Sequence, residues 1–285
     1  MTNNVSDALR VDHWVSLALI AAGTIISCLS YASIQPGITT LAFLLAGWGL
    51  LSLPAIGGDA ERKAYGLVFA AGTFWAGIAA VFANQLGDFG QNHSDPAFFF
   101  ELAKNWDSPL NVYVTNGIFE STGAIVLWNR VYDLARMLGL TPGRYIGIGV
   151  NSLFVGMAAV FAIKSVRSIH GESTWRLDLM TWLFAACPIF WMFSSLFLRE
   201  AFIMIFIVLL TWLWVRLLTR LSVWNLLILI LVSVLALYNF TYLRAEFVIV
   251  PVGMALAGGV ALLVAPRGNI PPPLSRSIGL GFCVA

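Results

Sequence analysis

The sequence predicts an all-α fold: a polytopic membrane bundle of about eight spanning helices, with a large outer loop that carries interfacial amphipathic helices. Three observations lead there. Of the 285 residues, 59% are hydrophobic and only 11% charged, where a soluble domain carries roughly 25% charged residues. The mean hydropathy is +0.85, more apolar surface than one soluble core could bury, so the solvent must be lipid. Apolar runs of about 20 residues, the length of a membrane-crossing helix, then recur along the chain, and basic residues alternate between their ends.

Composition also excludes some classes. A net charge of +2 without a basic run gives no footing for nucleic acid. Cys28 and Cys187 lie in apolar runs and Cys283 stands near the end, which is neither a disulfide framework nor a metal motif.

The order of elements follows. Residues 1–13, "MTNNVSDALRVDH", read as a retained cytoplasmic tail, since no small-residue cleavage site follows them. Three spans fill 14–84, at 14–34, 38–57 and 65–84. A polar region covers 85–143. Five spans fill 144–265, at 144–164, 177–198, 200–219, 222–241 and 246–265. Residues 266–285 are a cytoplasmic linker, with "SIGLGFCVA" as the start of a further span.

The positive-inside rule orients this map. With the N-terminus inside, Arg10, Arg62, Lys63, Lys164, Arg167, Arg176, Arg216, Arg220, Arg267 and Arg276 face the cytoplasm, ten of the 16 basic residues. The outer segments receive eight of the 14 acids. The 85–143 loop is then extracytoplasmic, and the expected location is a bacterial inner (plasma) membrane.

That loop has structure of its own. In "DPAFFFELAKNW", Asp95 reads as an N-cap and Pro96 as the first helical residue. In "GAIVLWNRVYDLARMLG", Asn129, Arg130, Asp133 and Arg136 recur at helical spacing, and Gly139 can supply a left-handed C-cap. Two helices of this kind would fold back as a roof over the bundle.

Candidate chemistry gathers at the outer level. Asp88 follows the third span and Asp95 follows seven residues later. Partial desolvation there raises a carboxylate's pKa toward the range of a general base. A helix cap accounts for Asp95 equally well, and a turn between Gly87 and Gly90 accounts for Asp88. His93 could join both aspartates around a divalent metal, although the spacing matches no strong metal motif and a loop histidine is more commonly solvated. No cofactor is required.

"SSLFLREAF" and "NFTYLRAEF" each join two apolar runs without a polar linker. Arg199, Glu200, Arg244 and Glu246 therefore stand in tight, partly unwound stretches at the outer face. Such charges ordinarily snorkel to the interface. Arginine at that depth also suits a lipid phosphate, which its planar fork can grip. Pro188 should kink the fifth span and widen an outward cavity. Trp14, Trp106, Trp128, Trp175 and Trp224 fit interfacial belts. Trp182, Trp191, Trp212 and Trp214 lie deeper, as packing or as the lining of a lipid groove. "GTFWAG" and "GMALAGG" suit close helix contacts.

These residues carry a resemblance. "GDFGQNHSDPAFFFELAKNW", with Asp95, Phe99 and Ala103 at four-residue spacing, is similar to the first large loop of the multi-spanning, polyprenyl-phosphate-dependent glycosyltransferases of the C superfamily. Asn151, Lys164 and Arg167 stand as in the following span and basic turn of bacterial members. Pro188, Ser194, Arg199 and Glu200 resemble their Pro…Ser…Leu-Arg-Glu phrase. The match runs loosely over 85–250. It implies transfer of a sugar from a polyprenyl-phosphate carrier on the outer face, in envelope or exopolysaccharide assembly. Asp88 or Asp95 would be the base, and Arg199 and Arg244 the phosphate holders beside Glu200 and Glu246. The expected partners are a polyprenyl-phosphate-linked sugar, the bilayer and proteins of polysaccharide assembly. The acidic loop follows the third span rather than the first, and later spans are missing, the pattern of a truncated or divergent member. Two other classes remain open: a lipid or oligosaccharide transporter or flippase, and a non-catalytic membrane subunit of an assembly complex.

Overall fold

The computed structural model describes residues 3–86, 94–105, 122–172 and 174–264, and every regular element in them is helical. The chain forms α1 (Asn3–Ser30), α2 (Gln35–Leu51), α3 (Asp59–Leu86), α4 (Ser94–Lys104), α5 (Thr122–Met137), α6 (Arg144–His170), α7 (Thr174–Ala186), α8 (Pro188–Ser195), α9 (Glu200–Thr219), α10 (Val223–Leu243) and α11 (Ile249–Val264), with a 3₁₀ turn at Ala245–Val248 before α11.

Among the described residues six helices are long and apolar enough to cross a membrane, and α7 with α8 makes a seventh if the bent pair is one span. Apolar length explains them, because backbone groups in lipid must pair within the helix. The sequence places single spans at 38–57 and 177–198, and the structure differs at both. Helix α2 stops after 17 residues, about 26 Å at 1.5 Å per residue, against a hydrocarbon core of about 30 Å. The second run breaks at Cys187, where Pro188 opens α8 and the axis turns by 57°. A proline there removes a backbone donor and clashes with the preceding turn.

Helix α6 is the axis of the bundle. It packs against α2, α3, α7, α8 and α9, and 83% of its apolar window is buried, against 22% for α10. Being apolar all round suits a central helix, whereas α10 and α11 present Leu231, Val234 and Leu256 outward. Close crossings rest on small residues. Gly23 of α1 meets the backbone of Thr73 and Phe74 on α3, where an added Cβ would lie 2.5 Å from the Thr73 carbonyl oxygen. Gly77 of α3 meets the Gly23 carbonyl in return. This is the "GTFWAG" contact expected from sequence, and Gly258 in "GMALAGG" likewise makes room for the Trp214 ring.

Named contacts fix which ends lie together. Lys63 at the start of α3 pairs with Asp12 of α1 and with Asp178 of α7, the latter at 2.7 Å. Glu61 forms an ion pair with Arg167 at the end of α6, Oε1 lying 2.8 Å from Nη1. This is the Lys63 end. The start of α6, the end of α8, the start of α9 and the end of α10 occupy the opposite Arg199 end, together with α4 and α5. Those two helices pack on each other: Asn129 donates to the Ala103 carbonyl at 3.0 Å and Arg136 donates to that of Lys104. Gly139 takes φ +76° just past α5, as its C-cap role requires.

Filling the α1–α3 crossing should therefore be costly. Gly23→Val is expected to destabilise the folded chain by about 1–3 kcal/mol through overpacking against backbone. Gly253→Ala, which has open space around it, should be neutral or slightly stabilising. Thermal unfolding of the two variants in detergent checks the difference.

Candidate functional site

Four residues separate α8 from α9, and their irregular backbone defines the Arg199 end. Leu196 is extended at φ −110° and ψ 159°. Its carbonyl accepts from the Leu198 amide at 3.0 Å, a tight three-residue turn. Carbonyls so released from a helix need donors, since an unsatisfied one costs about 1–3 kcal/mol. Asn151, fully buried on α6, supplies them. Its amide nitrogen donates to Leu196 at 3.0 Å and to Leu198 at 2.9 Å. Its Oδ1 accepts from Trp128 Nε1 at 3.3 Å. The hydroxyl of Ser152 holds the turn before, donating to the Ser194 carbonyl.

Between the two clamped carbonyls Phe197 points inward and is fully buried. Its ring centroid lies 4.0 Å from that of Trp128 and 6.0 Å from that of Phe100, and it stacks on Tyr132. Gly147 leaves the space, because a Cβ there would stand 1.9 Å from the Phe197 ring. Tyr132 donates its hydroxyl to the Gly143 carbonyl at 3.2 Å, and burial pushes its phenol well above the usual range, so it stays a neutral donor. Trp128 therefore belongs to the core and not to an interfacial belt, a correction to its reading from sequence. Trp14, Trp175 and Trp224 are exposed.

The clamp sets the charged residues. Arg199 leads into α9, and its guanidinium sits 5.6 Å above the Phe99 ring of α4. Glu200 stands in the first turn of α9, where the helix dipole favours an anion. Its Oε1 lies 3.9 Å from Arg199 Nε and 3.4 Å from Arg244 Nη1, while Oε2 is buried without a hydrogen-bond partner among the described residues. Arg244 ends α10 in extended backbone, and its Nε lies 3.7 Å from Glu246 Oε2 in the 3₁₀ turn. Arg199, Glu200, Arg244 and Glu246 thus form one alternating row, in the partly unwound stretches expected from sequence. These distances, 3.4 to 3.9 Å, are long for charge-assisted bonds.

Phe100 carries a second pair of cations, with Arg144 5.2 Å and Lys104 5.5 Å from its centroid. Nothing local in the sequence places these with the Arg199 row. The one available signal was Lys104, four residues after Phe100 on α4. Asn151 and Gly147 could not have been found as the clamp and the notch, because both act on residues about 45 positions away.

Asp95 lies within α4, which starts at Ser94, so it stands in the first turn rather than ahead of the helix as a cap. One turn later on the same helix comes Phe99, the seat of Arg199. Asp88 and His93 lie outside the described residues, and so does Trp106. Among the described residues no three His, Cys, Asp or Glu groups could hold a metal ion. Two pockets lie between α1, α2 and α3 and among α1, α2, α3 and α6, and neither is lined by Pro188. The chain has no significant match to a family model, a curated protein or a solved structure.

Removing the clamp is expected to orphan the Leu198 carbonyl and to leave that of Leu196 with the Leu198 amide alone. Asn151→Leu should cost about 2–4 kcal/mol, reading one to two lost buried bonds at about 1–3 kcal/mol each. Asn239→Leu should cost little, since that amide bonds only within its own helix on an exposed face. Chemical denaturation in detergent distinguishes the two.

Proposed function

We propose that the chain is an integral membrane glycosyltransferase that moves a sugar from a polyprenyl-phosphate carrier at its Arg199 end, in envelope or exopolysaccharide assembly. The observation that carries this reading is the clamped row Arg199–Glu200–Arg244–Glu246 beneath the aromatic helix α4. Arg244 keeps its side chain 39% exposed, so its fork can turn toward a phosphate at the headgroup level.

The chemistry is an exchange of two bonds at the anomeric carbon. Asp88 or Asp95 takes the proton of an acceptor hydroxyl, and the freed oxygen attacks. The bond from the anomeric carbon to the carrier phosphate breaks, and the polyprenyl phosphate leaves with the electron pair. Arg199 and Arg244 stabilise the negative charge that builds on it. No cofactor enters this scheme, and a divalent metal at Asp88, His93 and Asp95 would serve only to neutralise phosphate. The topology that accompanies it has eight crossings, counting α2 and the bent α7–α8 pair. The N-terminus is cytoplasmic, 85–143 extracytoplasmic and the membrane a bacterial inner membrane. Basic residues weighted to the Lys63 end support that orientation.

A second reading draws on the break at Cys187. Helices interrupted within a crossing are common where transporters bind their cargo, and α7–α8 bends by 57° there. A lipid or oligosaccharide flippase would show counterflow of labelled cargo without any transfer of sugar.

Sugar transfer from a polyprenyl-phosphate donor in vesicles tests the main reading. Asp88→Asn or Asp95→Asn, whichever removes the base, should lower kcat by about 10²–10⁴. Wild-type rates in both variants would sink the carboxylate-base role. Arg244→Gln should raise KM for the lipid donor by about 10- to 100-fold, the loss of one charge-assisted bond.

A further inference from the structure

At the Lys63 end, far from the row just described, the ring of Trp212 on α9 carries two cations. Lys164 Nζ lies 5.5 Å and Arg216 Cζ 5.4 Å from its centroid. Arg167 stands one turn from Lys164 on α6. The buried carboxylate available to all three is Glu61, and it is already engaged: its Oε1 takes Arg167 Nη1 at 2.8 Å, while Lys164 stays at 3.9 Å, beyond a hydrogen bond. Glu172 pairs with Arg167 from the outside, at 3.3 Å. Among the described residues no carboxylate comes within ion-pair distance of Arg216. Lys164 and Arg216 are therefore like charges on one ring, both half-buried, with less than one carboxylate between them.

Arg216 stands in the last turn of α9, where a cation offsets the helix dipole, but that does not require it to share a ring with Lys164, where the two repel. An anion placed between the two removes the repulsion. Its chemistry follows from where the ring lies. Trp212 stacks on Phe161 of α6, with the ring centroids 5.3 Å apart, and both α6 and α9 are long and apolar enough to cross a membrane. A cation pair toward the ends of two membrane-length helices fits a phosphate joined to acyl chains. Basic pockets between membrane helices bind anionic headgroups in this way.

We propose that Lys164, Arg216 and Trp212 form a binding site for the phosphate headgroup of an anionic bilayer phospholipid. The site is separate from the Arg199 row and does not rest on the glycosyltransferase reading.

The test uses the full chain in nanodiscs and a fluorescent phosphatidylglycerol, with phosphatidylcholine as the neutral comparison. The wild-type chain should retain phosphatidylglycerol preferentially. Lys164→Gln and Arg216→Gln should each cut that preference about fivefold, the effect of one basic residue at a charged surface. Arg216→Lys should keep most of it, and it serves as the folded control for a Gln variant that misassembles. Arg176→Gln should change it little, although Arg176 also stands over an exposed tryptophan at this end. An equal loss in Arg176→Gln, or no loss in Lys164→Gln and Arg216→Gln, would overturn the site in favour of diffuse surface attraction. Displacement of the lipid by millimolar inorganic phosphate would overturn it in favour of a soluble ligand.

Discussion

The Arg199 end depends on one buried amide. Asn151 answers a problem that lipid makes severe: a chain that leaves helical geometry near a membrane releases carbonyls that water cannot reach. By donating to Leu196 and Leu198 and accepting from Trp128, one side chain ties α5, α6 and the break before α9 together. Phe197, pinned between the two held carbonyls, fills the Gly147 notch and fixes the direction in which Arg199 leaves the core. Only then can Arg199 stand on Phe99 and Glu200 reach Arg244. The charged row is thus a consequence of an apolar and amide-based clamp, which also explains why its charges need no tight pairing to stay in place.

At the Lys63 end charge itself does the joining. Lys63 connects α1, α3 and α7 through Asp12 and Asp178, and Glu61 connects α3 to α6. Such pairs add little net stability over an apolar packing of the same shape, because desolvation offsets the attraction. Their value is in register. A slip of α3 against α6 would part Glu61, which is fully buried, from the Arg167 guanidinium that it meets at 2.8 Å. Apolar faces of nearly uniform Leu, Ile and Val character cannot supply that specificity, since many offsets pack about equally well.

Much of the fold could be read along the chain because lipid imposes a local rule. Apolar length marked α1, α3, α6, α9, α10 and α11, and α9 begins and ends where the sequence places it. Pro188 marked the break, and the unlinked charges of "LREAF" and "LRAEF" marked the unwound stretches. Hydropathy could not tell which apolar residues face protein. Trp128 and Trp224 look alike in sequence, yet one is fully buried in the core and the other is exposed. The loop positions of Arg62, Lys63, Lys164 and Arg167 signalled orientation, while their pairing with Asp12, Asp178 and Glu61 depends on how α1, α6 and α7 meet α3, which no local pattern encodes.

The two ends therefore differ in how their pairs are held. At the Lys63 end the joining pairs are close: Lys63 holds Asp178 at 2.7 Å and Arg167 holds Glu61 at 2.8 Å. At the Arg199 end the contacts stretch to between 3.4 and 3.9 Å, and Glu200 Oε2 is buried with no donor among the described residues. A row held by its own charges would tighten until each fork was satisfied. This one is held from below by Asn151 and Phe197. Incomplete use of buried polar groups is costly in a static scaffold. Both ends carry it, at Glu200 Oε2 and at the two Glu61 carboxylate oxygens, which have no hydrogen-bond partner among the described residues. What separates the ends is how their pairs are held: short ion pairs join helices at the Lys63 end, and an amide-and-ring clamp lies beneath the longer ones at the Arg199 end.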